Sequence, residues 1–344
     1  MIATKKKEFL IEYRPTSFKA VRLSSSDSLL VEEVIELTNV SEGSVAERIR
    51  EFASVKANGY LSGACAVYPR ERMIRKVNVD TPKGKESEFL LDFIKSESKR
   101  SADEMMAFCL DNATGSELEV QSINKRSVLV CGAPRQDFVD LQDDLLSKGI
   151  YPSRLELGSV SMIGLFKDVV VWSDGNHPML LLEIEDEFTN AVIIGGQGVE
   201  MARRIEVGLS DVAEALKEEM MLKDLEAATK LLSSSDFDLG SIAPKIFRKL
   251  LRELQSSIGF YEVQTGQSVS RVYCSGHGEK MVWFQKSLSE LLNLEHFKFD
   301  VSKWLGSKGI GFANETIGKQ IDASWLGLLS LACDFGSKEE GGAK

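Results

Sequence analysis

The sequence predicts an α/β protein built from two lobes with a cleft between them. Its 344 residues are too many for one simple core, so two or more lobes are expected. One segment near the start and one near the middle of the chain each show three short strand-like stretches joined by tight turns. Amphipathic helical segments follow each group of strands. The doubled order indicates a weak internal duplication.

The first group of strands is expected at residues 9–13, 18–24 and 29–37, followed by a helix at 44–59 and strands at 63–69 and 72–82. From Pro82 onward a helix, two strands, a second helix and a strand predict a small α/β insert. The second group of strands covers 179–208, and helices with two further strands follow it. This plan suggests a two-lobed actin-like (ribonuclease-H-like) fold with an insert in the first lobe and a helical subdomain in the second. The expected bounds are 1–82 and 153–177 for the first lobe, 83–152 for the insert, 178–208 and 241–335 for the second lobe, 209–240 for the helical subdomain and 336–344 for a disordered tail.

The amino-acid composition restricts the kinds of partner and ligand that the protein is expected to bind. A net charge of −10 and a pI near 5.1 argue against a nucleic-acid binder. The five cysteines lack a C-x-x-C pair and lie mostly in apolar runs, which indicates reduced thiols in the cytoplasm. Three isolated histidines give no zinc pattern, so no metal is expected. The sequence shows no signal peptide, no membrane span and no amphipathic anchor at its polar C-terminal end, so we expect no direct membrane insertion.

Several segments, in one order along the chain, resemble the PilM family. These are actin-like cytoplasmic proteins of type IV pilus assembly, related to the cell-division protein FtsA. The similar segments are FKAVRL (18–23), the strand–helix–strand at 128–157, GSVSMIGLF (158–166), MARRIEVG (201–208), the long helix at 250–267 and VYCSGHGEKM (272–281). The resemblance extends from about residue 8 to residue 333 and implies the same fold.

The two phosphate-binding hairpins depart from the pattern of that family. Its members carry an Asp-x-Gly-type turn in both hairpins. Aligned on Lys19, the first turn holds Glu12 and Arg14 instead, and the second holds Glu183 and Glu185. Side chains in place of glycine would keep phosphates away from the backbone N–H groups. A carboxylate ~4 Å from a phosphate charge would also cost about 4 kcal/mol at an effective dielectric of ~20, roughly a thousand-fold in affinity.

The hairpins and the turn that resembles the adenosine motif define a degenerate nucleotide cleft. Its candidate residues are Glu12, Arg14, Thr16, Ser17, Lys19, Glu183, Glu185, Gly276, His277 and Gly278. We hypothesise that Arg14 and Glu185 form an ion pair across the cleft, holding the lobes together where nucleotide does so in relatives. The alternative is that both point into solvent, where ion pairs contribute little.

Three other features have a catalytic and a structural interpretation. Ser275 beside His277 could be a nucleophile, but the G-x-S-x-G pattern and an acidic third member are missing. Glu12 and Glu183 could bind a metal or act as a general base, although structural roles are favoured. The GGQG stretch at 195–198 lacks dinucleotide-loop spacing and predicts a hairpin turn. No catalytic residue is therefore assigned.

The resemblance implies a non-enzymatic scaffold at the inner membrane. Family members bind the N-terminal cytoplasmic peptide of PilN, a single-pass membrane protein, and connect the pilus platform to the motor ATPase. The corresponding groove would lie near residues 60–82 and 128–140. No cofactor is expected, and Mg-ATP is the cofactor if the cleft is still functional. The alternative is an actin-like ATPase, and a third hypothesis is an FtsA-like filament former.

Overall fold

The computed structural model describes residues 7–14, 17–25, 29–38, 42–54, 59–172, 177–234, 239–276 and 281–335. Its first half forms β1 (Lys7–Arg14), β2 (Ser17–Ser25), β3 (Leu29–Thr38), α1 (Glu42–Ala53), β4 (Leu61–Val67), β5 (Met73–Val79), α2 (Glu86–Ser98), β6 (Met105–Asp111), β7 (Glu117–Leu118), β8 (Arg126–Pro134), α3 (Arg135–Ser147), β9 (Ile150–Leu157) and α4 (Gly158–Trp172). Its second half forms β10 (Met179–Ile184), β11 (Thr189–Gly195), β12 (Gly198–Ile205), α5 (Leu209–Met220), α6 (Leu225–Leu232), α7 (Ala243–Ile246), α8 (Arg248–Thr265), β13 (Arg271–Gly276), α9 (Val282–Leu292), β14 (Glu295–His296), α10 (Val301–Ser307), β15 (Ile310–Phe312), α11 (Glu315–Gln320) and α12 (Leu326–Leu329).

The first lobe is a six-stranded sheet in the order β15-β3-β2-β1-β4-β9. Strands β1 to β3 form an antiparallel meander, and β4 and β9 continue the sheet in parallel with β1. The central strand β1 is apolar on both faces because helices cover both faces of the sheet. Ile11 packs with Ile49 of α1 and Leu145 of α3, whereas its neighbour Leu10 faces the opposite side and packs with Phe166 of α4.

The second lobe repeats this order with five strands, β12-β11-β10-β13-β14. Strands β10 to β12 form the meander, and β13 and β14 run parallel to β10. Leu182 of β10 faces a cluster formed with helices α5 to α9, whereas Leu181 faces the cluster that contains α4. The predicted duplication of a three-strand meander is therefore present in the structure.

Helix α4 lies between the two sheets and joins them through one hydrophobic core. Phe166 is fully buried, and its ring centroid lies 4.7 Å from that of Tyr273 on β13. The same cluster contains Leu10 of the first sheet and Leu181 of the second. The lobes are thus held at their base by apolar contacts, and the cleft opens above α4.

The insert is a four-stranded antiparallel sheet in the order β5-β8-β6-β7. One face packs on Leu90 and Ile94 of α2. The other face places Ile74 and Leu129 in the core that both lobes share.

The strand pairing differs from the expected subdomain bounds at three places. Strand β5 was expected in the first lobe but pairs with β8 of the insert. The expected boundary between the insert and the first lobe at residue 152 divides β9, yet the whole of β9 pairs with β4. Strand β15 was expected in the second lobe but pairs with β3. Short β15 follows a buried helix whose Trp304 and Leu305 belong to the shared core, and this packing carries the chain back to the first lobe. The expected tail at 336–344 lies outside the described residues.

Within the described residues, the structure contains no helix with both the length and the apolar character needed to span a membrane. Among the described residues, Cys65, Cys109, Cys131 and Cys274 are buried free thiols.

Candidate functional site: the cleft between the lobes

The equivalent hairpins of the two lobes place their carboxylates at the cleft. Glu12 lies opposite Lys19 across β1 and β2, and Glu183 lies opposite Asn190 across β10 and β11. Glu183 is also level with Ser275 on the parallel strand β13. Both glutamates are buried, which requires polar or charged partners.

The ion pair predicted between Arg14 and Glu185 is present. Arg14 Nη1 lies 2.9 Å from Glu185 Oε1, and both side chains are only 14% exposed. Arg14 Nε also lies 3.3 Å from Glu12 Oε1. One guanidinium therefore contacts a carboxylate from each lobe, and the solvent-facing alternative is wrong.

A second arginine, Arg72, occupies the centre of the cleft. Its Nη2 lies 2.7 Å from Glu183 Oε2 and 2.8 Å from Glu185 Oε1. Its Nε donates to Ser159 Oγ at 2.8 Å, and its Nη1 donates to the Pro69 carbonyl at 3.0 Å. With a side chain 1% exposed, Arg72 is the most deeply buried charge of the network.

Glu183 has its hydrogen-bonding capacity filled by protein groups. Ser159 Oγ lies 2.7 Å from both of its oxygens, and Asn190 Nδ2 donates to Oε2 at 2.8 Å. Arg72 supplies the third partner. These partners hold the carboxylate in one orientation and occupy acceptor sites that a metal ion would need.

The aromatic ring of Tyr68 fills the space beside Arg14. The guanidinium carbon of Arg14 lies 3.5 Å from the ring centroid, within the range of a cation–π contact. Two glycines make room for the ring. A Cβ on Gly158 would lie 2.3 Å from the ring carbon that bears the hydroxyl, and one on Gly327 would lie 2.6 Å from the hydroxyl oxygen and 2.9 Å from Glu12 Oε1.

The electrostatics of the cleft keep its arginines charged and its tyrosine neutral. Burial alone would lower the pKa of Arg14, but Tyr68 and the carboxylates of Glu185 and Glu12 raise it well above its ordinary value. Burial also opposes the charge on Arg72, whereas Glu183 and Glu185 raise its pKa. Burial and then Glu12 raise the pKa of Tyr68 well above the usual value. Arg14 and Arg72 therefore stay charged, and Tyr68 stays neutral, near neutral pH.

Lys19 is directed toward the C-terminal segment of the chain. Its Nζ donates to Ser324 Oγ at 3.0 Å and to the Ser324 carbonyl, and it lies 5.3 Å from the ring centroid of Trp325. Ser17 is half-buried at the start of β2, and Thr16 lies outside the described residues. The lysine therefore fastens the first hairpin to residues 323–325.

The turn resembling the adenosine motif is described only in part. Gly276 has φ +72°, and a Cβ on it would lie 3.0 Å from the Ile184 carbonyl oxygen, so the close approach of β13 to β10 suits glycine. His277 and Gly278 lie outside the described residues. Ser275 is buried and donates its hydroxyl to the Leu182 carbonyl at 3.3 Å, a poor environment for a nucleophile.

A cavity of about 10 Å³ lies next to Glu183, lined in part by Ser159, Asn190 and Ser275. This volume takes about one water molecule. Across the part of the chain that the structure describes, no three His, Cys, Asp or Glu side chains are grouped so that they could hold a metal ion.

The paired meander sheets around α4 define a two-lobed actin-like α/β fold. Comparison with solved structures agrees with this class. A chain from a PilM–PilN type IV pilus biogenesis complex superposes with a TM-score of 0.65 at 18% identity, over 97% of this chain and 98% of that one. A protein with an actin-like ATPase fold and unknown function from Bacteroides thetaiotaomicron gives 0.45 at 11% identity, over 96% and 99%. An archaeal actin homologue gives 0.41 at 11%, over 96% and 99%. No protein-family model and no curated sequence matches the chain.

The structure thus brings Glu12, Arg14, Glu183 and Glu185 into one network. Sequence reasoning missed Arg72, which completes that network. The sequence does contain a signal for Arg72, which lies in the polar segment directly after the apolar strand β4. Residues that follow the parallel strands of such sheets lie at the cleft. Three carboxylates and two guanidiniums leave this network with little net charge and few unused hydrogen-bonding groups.

Proposed function

We propose that this chain is a non-enzymatic, PilM-like scaffold whose cleft is closed by side chains in place of a nucleotide. The observation that carries the proposal is the network in which Arg14 and Arg72 join Glu12 of one lobe to Glu183 and Glu185 of the other. Its atoms lie at the tips of the two hairpins where the family binds phosphate. The network has no group suited to phosphoryl transfer, because its arginines are already paired with carboxylates.

A closed cleft favours a binding role over an enzymatic one. Nucleotide-dependent relatives stabilise the closed arrangement only when ligand is bound, since a ligand shifts the equilibrium by its differential affinity. Here the connection is made by side chains of the chain itself and needs no ligand. A rigid pair of lobes presents a preformed surface, which lowers the ordering cost of peptide binding.

The partner we propose is a PilN-like single-pass membrane protein, bound through its N-terminal cytoplasmic peptide. Support comes from the structural likeness to a chain of the PilM–PilN complex and from the acidic charge of this chain. An acidic surface suits a basic juxtamembrane peptide. The bound scaffold would lie in the cytoplasm at the inner membrane, within reach of a motor ATPase.

Peptide binding provides the test. The N-terminal peptide of a PilN-like single-pass membrane protein, labelled with a fluorophore, should raise its anisotropy on titration with the full chain, whereas a scrambled peptide should not. Tyr60, which is 51% exposed near the proposed groove, and Phe260, which is 61% exposed on α8, offer a matched pair of aromatic residues. We expect Tyr60→Ser to weaken binding and Phe260→Ser to leave it unchanged. Equal effects, or no binding by the unaltered chain, would contradict the proposal.

A further inference from the structure

The insert contacts the second lobe through strand β5, which packs against β12, and through the turn at residues 111–116. Asn112 follows β6 and is 9% exposed. Its Nδ2 donates to the Val199 carbonyl at 2.9 Å, and the Val199 N–H donates to its Oδ1 at 2.9 Å. The amide side chain thus exchanges two hydrogen bonds with one backbone residue, as a neighbouring strand would.

On the other side of this contact, the insert turn accounts for Gly198, the last glycine of the GGQG stretch. Gly198 has φ +105°, and a Cβ there would lie 2.0 Å from the Asn112 carbonyl oxygen. A side chain would therefore meet both backbone strain and a direct clash. The hairpin turn between β11 and β12 was predicted from sequence, whereas its docking against the insert was not.

The insert turn is preformed for this contact. Asp111 Oδ1 accepts hydrogen bonds from the N–H groups of Ala113 and Thr114 at 3.0 and 2.9 Å. The backbone hydrogen bond from Thr114 is the main cause of the lowered pKa of Asp111, with Arg126 Nη1 at 3.1 Å from Oδ2 adding to it. Because the Asp111 carboxylate already closes the turn, Asn112 loses little conformational freedom when it contacts Val199.

Two lysines extend the contact on either side. Lys76 of β5 donates to the Glu200 carbonyl of the second lobe at 3.3 Å. Lys167 of α4 donates to the Ala113 carbonyl. The insert turn is therefore held by the second lobe and also by the helix that joins the lobes.

We propose that Asn112, Gly198 and Val199 form a clasp that makes the position of the insert depend on the angle between the lobes. The chain already connects the insert to the first lobe at both of its ends, before β5 and after α3. The clasp closes this path into a ring of first lobe, insert, second lobe and α4. A rotation of the lobes must then either open the clasp or carry the insert with it.

One consequence of the clasp rests on the proposed function. If the partner peptide binds between the first lobe and the insert, then the clasp fixes one wall of the peptide groove. Coupling between two equilibria is reciprocal, so peptide binding and lobe closure stabilise each other through the clasp. Neither Asn112 nor Gly198 needs to touch the peptide.

Hydrogen exchange of the full chain tests the clasp directly, because the Val199 N–H is bonded to the Asn112 side chain. We expect Asn112→Ala to speed exchange at Val199 by about tenfold or more. We also expect faster exchange at residues 183–188 in the cleft, since opening is no longer restrained. Gly198→Ala should act in the same way, whereas Gly306→Ala on α10 is the control, because this glycine is exposed and open space surrounds the added Cβ.

Each outcome decides one claim. Unchanged exchange at Val199 in both variants would overturn the clasp. Faster exchange at Val199 with unchanged exchange at residues 183–188 would overturn the coupling to the cleft. The coupling to the partner predicts that Asn112→Ala weakens peptide binding several-fold and that Gly306→Ala does not; equal affinities would overturn this consequence. If the unaltered chain binds no peptide, the proposed function fails, while the exchange data still decide whether the clasp restrains the lobes.

Discussion

Replacement of Arg72 by leucine is the perturbation that most strongly tests the energetics of the cleft. The substitution keeps an apolar side chain in the site but removes the donors that face Glu183 and Glu185. Removing one partner of a buried ion pair leaves an uncompensated charge and costs about 3–5 kcal/mol. Glu183 keeps Ser159 and Asn190, so we expect a loss near the lower end of that range, roughly 3 kcal/mol.

Urea denaturation followed by circular dichroism measures this loss, and Arg75 supplies the control. Arg75 lies on β5, three residues after Arg72, and pairs with Glu97 at 2.7 Å, but both side chains are partly exposed, so Arg75→Leu should cost about 1 kcal/mol or less. Adding Glu183→Gln to Arg72→Leu removes one unpaired charge and should recover about 1 kcal/mol, a coupling typical of residues in one network. Equal losses for Arg72→Leu and Arg75→Leu would refute the reasoning.

Three further predictions follow from the packing and the charges. Gly327→Ala puts a Cβ against the Tyr68 hydroxyl and should destabilise the chain by about 1–3 kcal/mol, seen as a lower Tm. Burial, and then a neighbouring lysine, lowers the pKa of His296, so the unfolded chain binds that proton more readily and stability falls as pH drops below about 6.5. His296→Gln should flatten this part of the curve of unfolding free energy against pH. Burial raises the pKa of Cys65 to about 12, so alkylation of this thiol at pH 8, followed by mass spectrometry, should occur at the rate of unfolding.

The repeated meanders were predictable because each is specified by apolar residues and turns that lie close together in the sequence. Alternating apolar residues and tight turns specify β1 to β3 and β10 to β12 locally. The return of β15 to the first sheet was not predictable in the same way. A three-residue strand has no periodicity of its own, and it is placed by the burial of Trp304 and Leu305 in the core between the lobes. Residues 323–335 form a series of short helical turns, which packs Trp325, Leu326, Leu328 and Leu329 into the core that both lobes share.

The candidate site was predictable where it depends on two equivalent hairpins. The resemblance to the PilM family places Glu12 and Arg14 at positions that match those of Glu183 and Glu185, and it implies the contact between the hairpins. Arg72 has no equivalent in the other lobe, and Tyr68 is placed by space left at Gly158 and Gly327, which only the packed structure reveals. Long-range packing, and not local pattern, decides both residues.

Titration calorimetry of the purified chain with Mg-ATP tests the central claim that side chains have replaced nucleotide in the cleft. The protein concentration should be high enough to detect a dissociation constant of about 100 μM, or roughly 5.5 kcal/mol of binding free energy. We predict no heat of binding for the unaltered chain. The double variant Arg14→Gly with Glu185→Gly removes the pair that spans the lobes and restores both glycines, so any recovered binding should be found there. Clear binding of Mg-ATP by the unaltered chain would contradict the account and favour an actin-like ATPase.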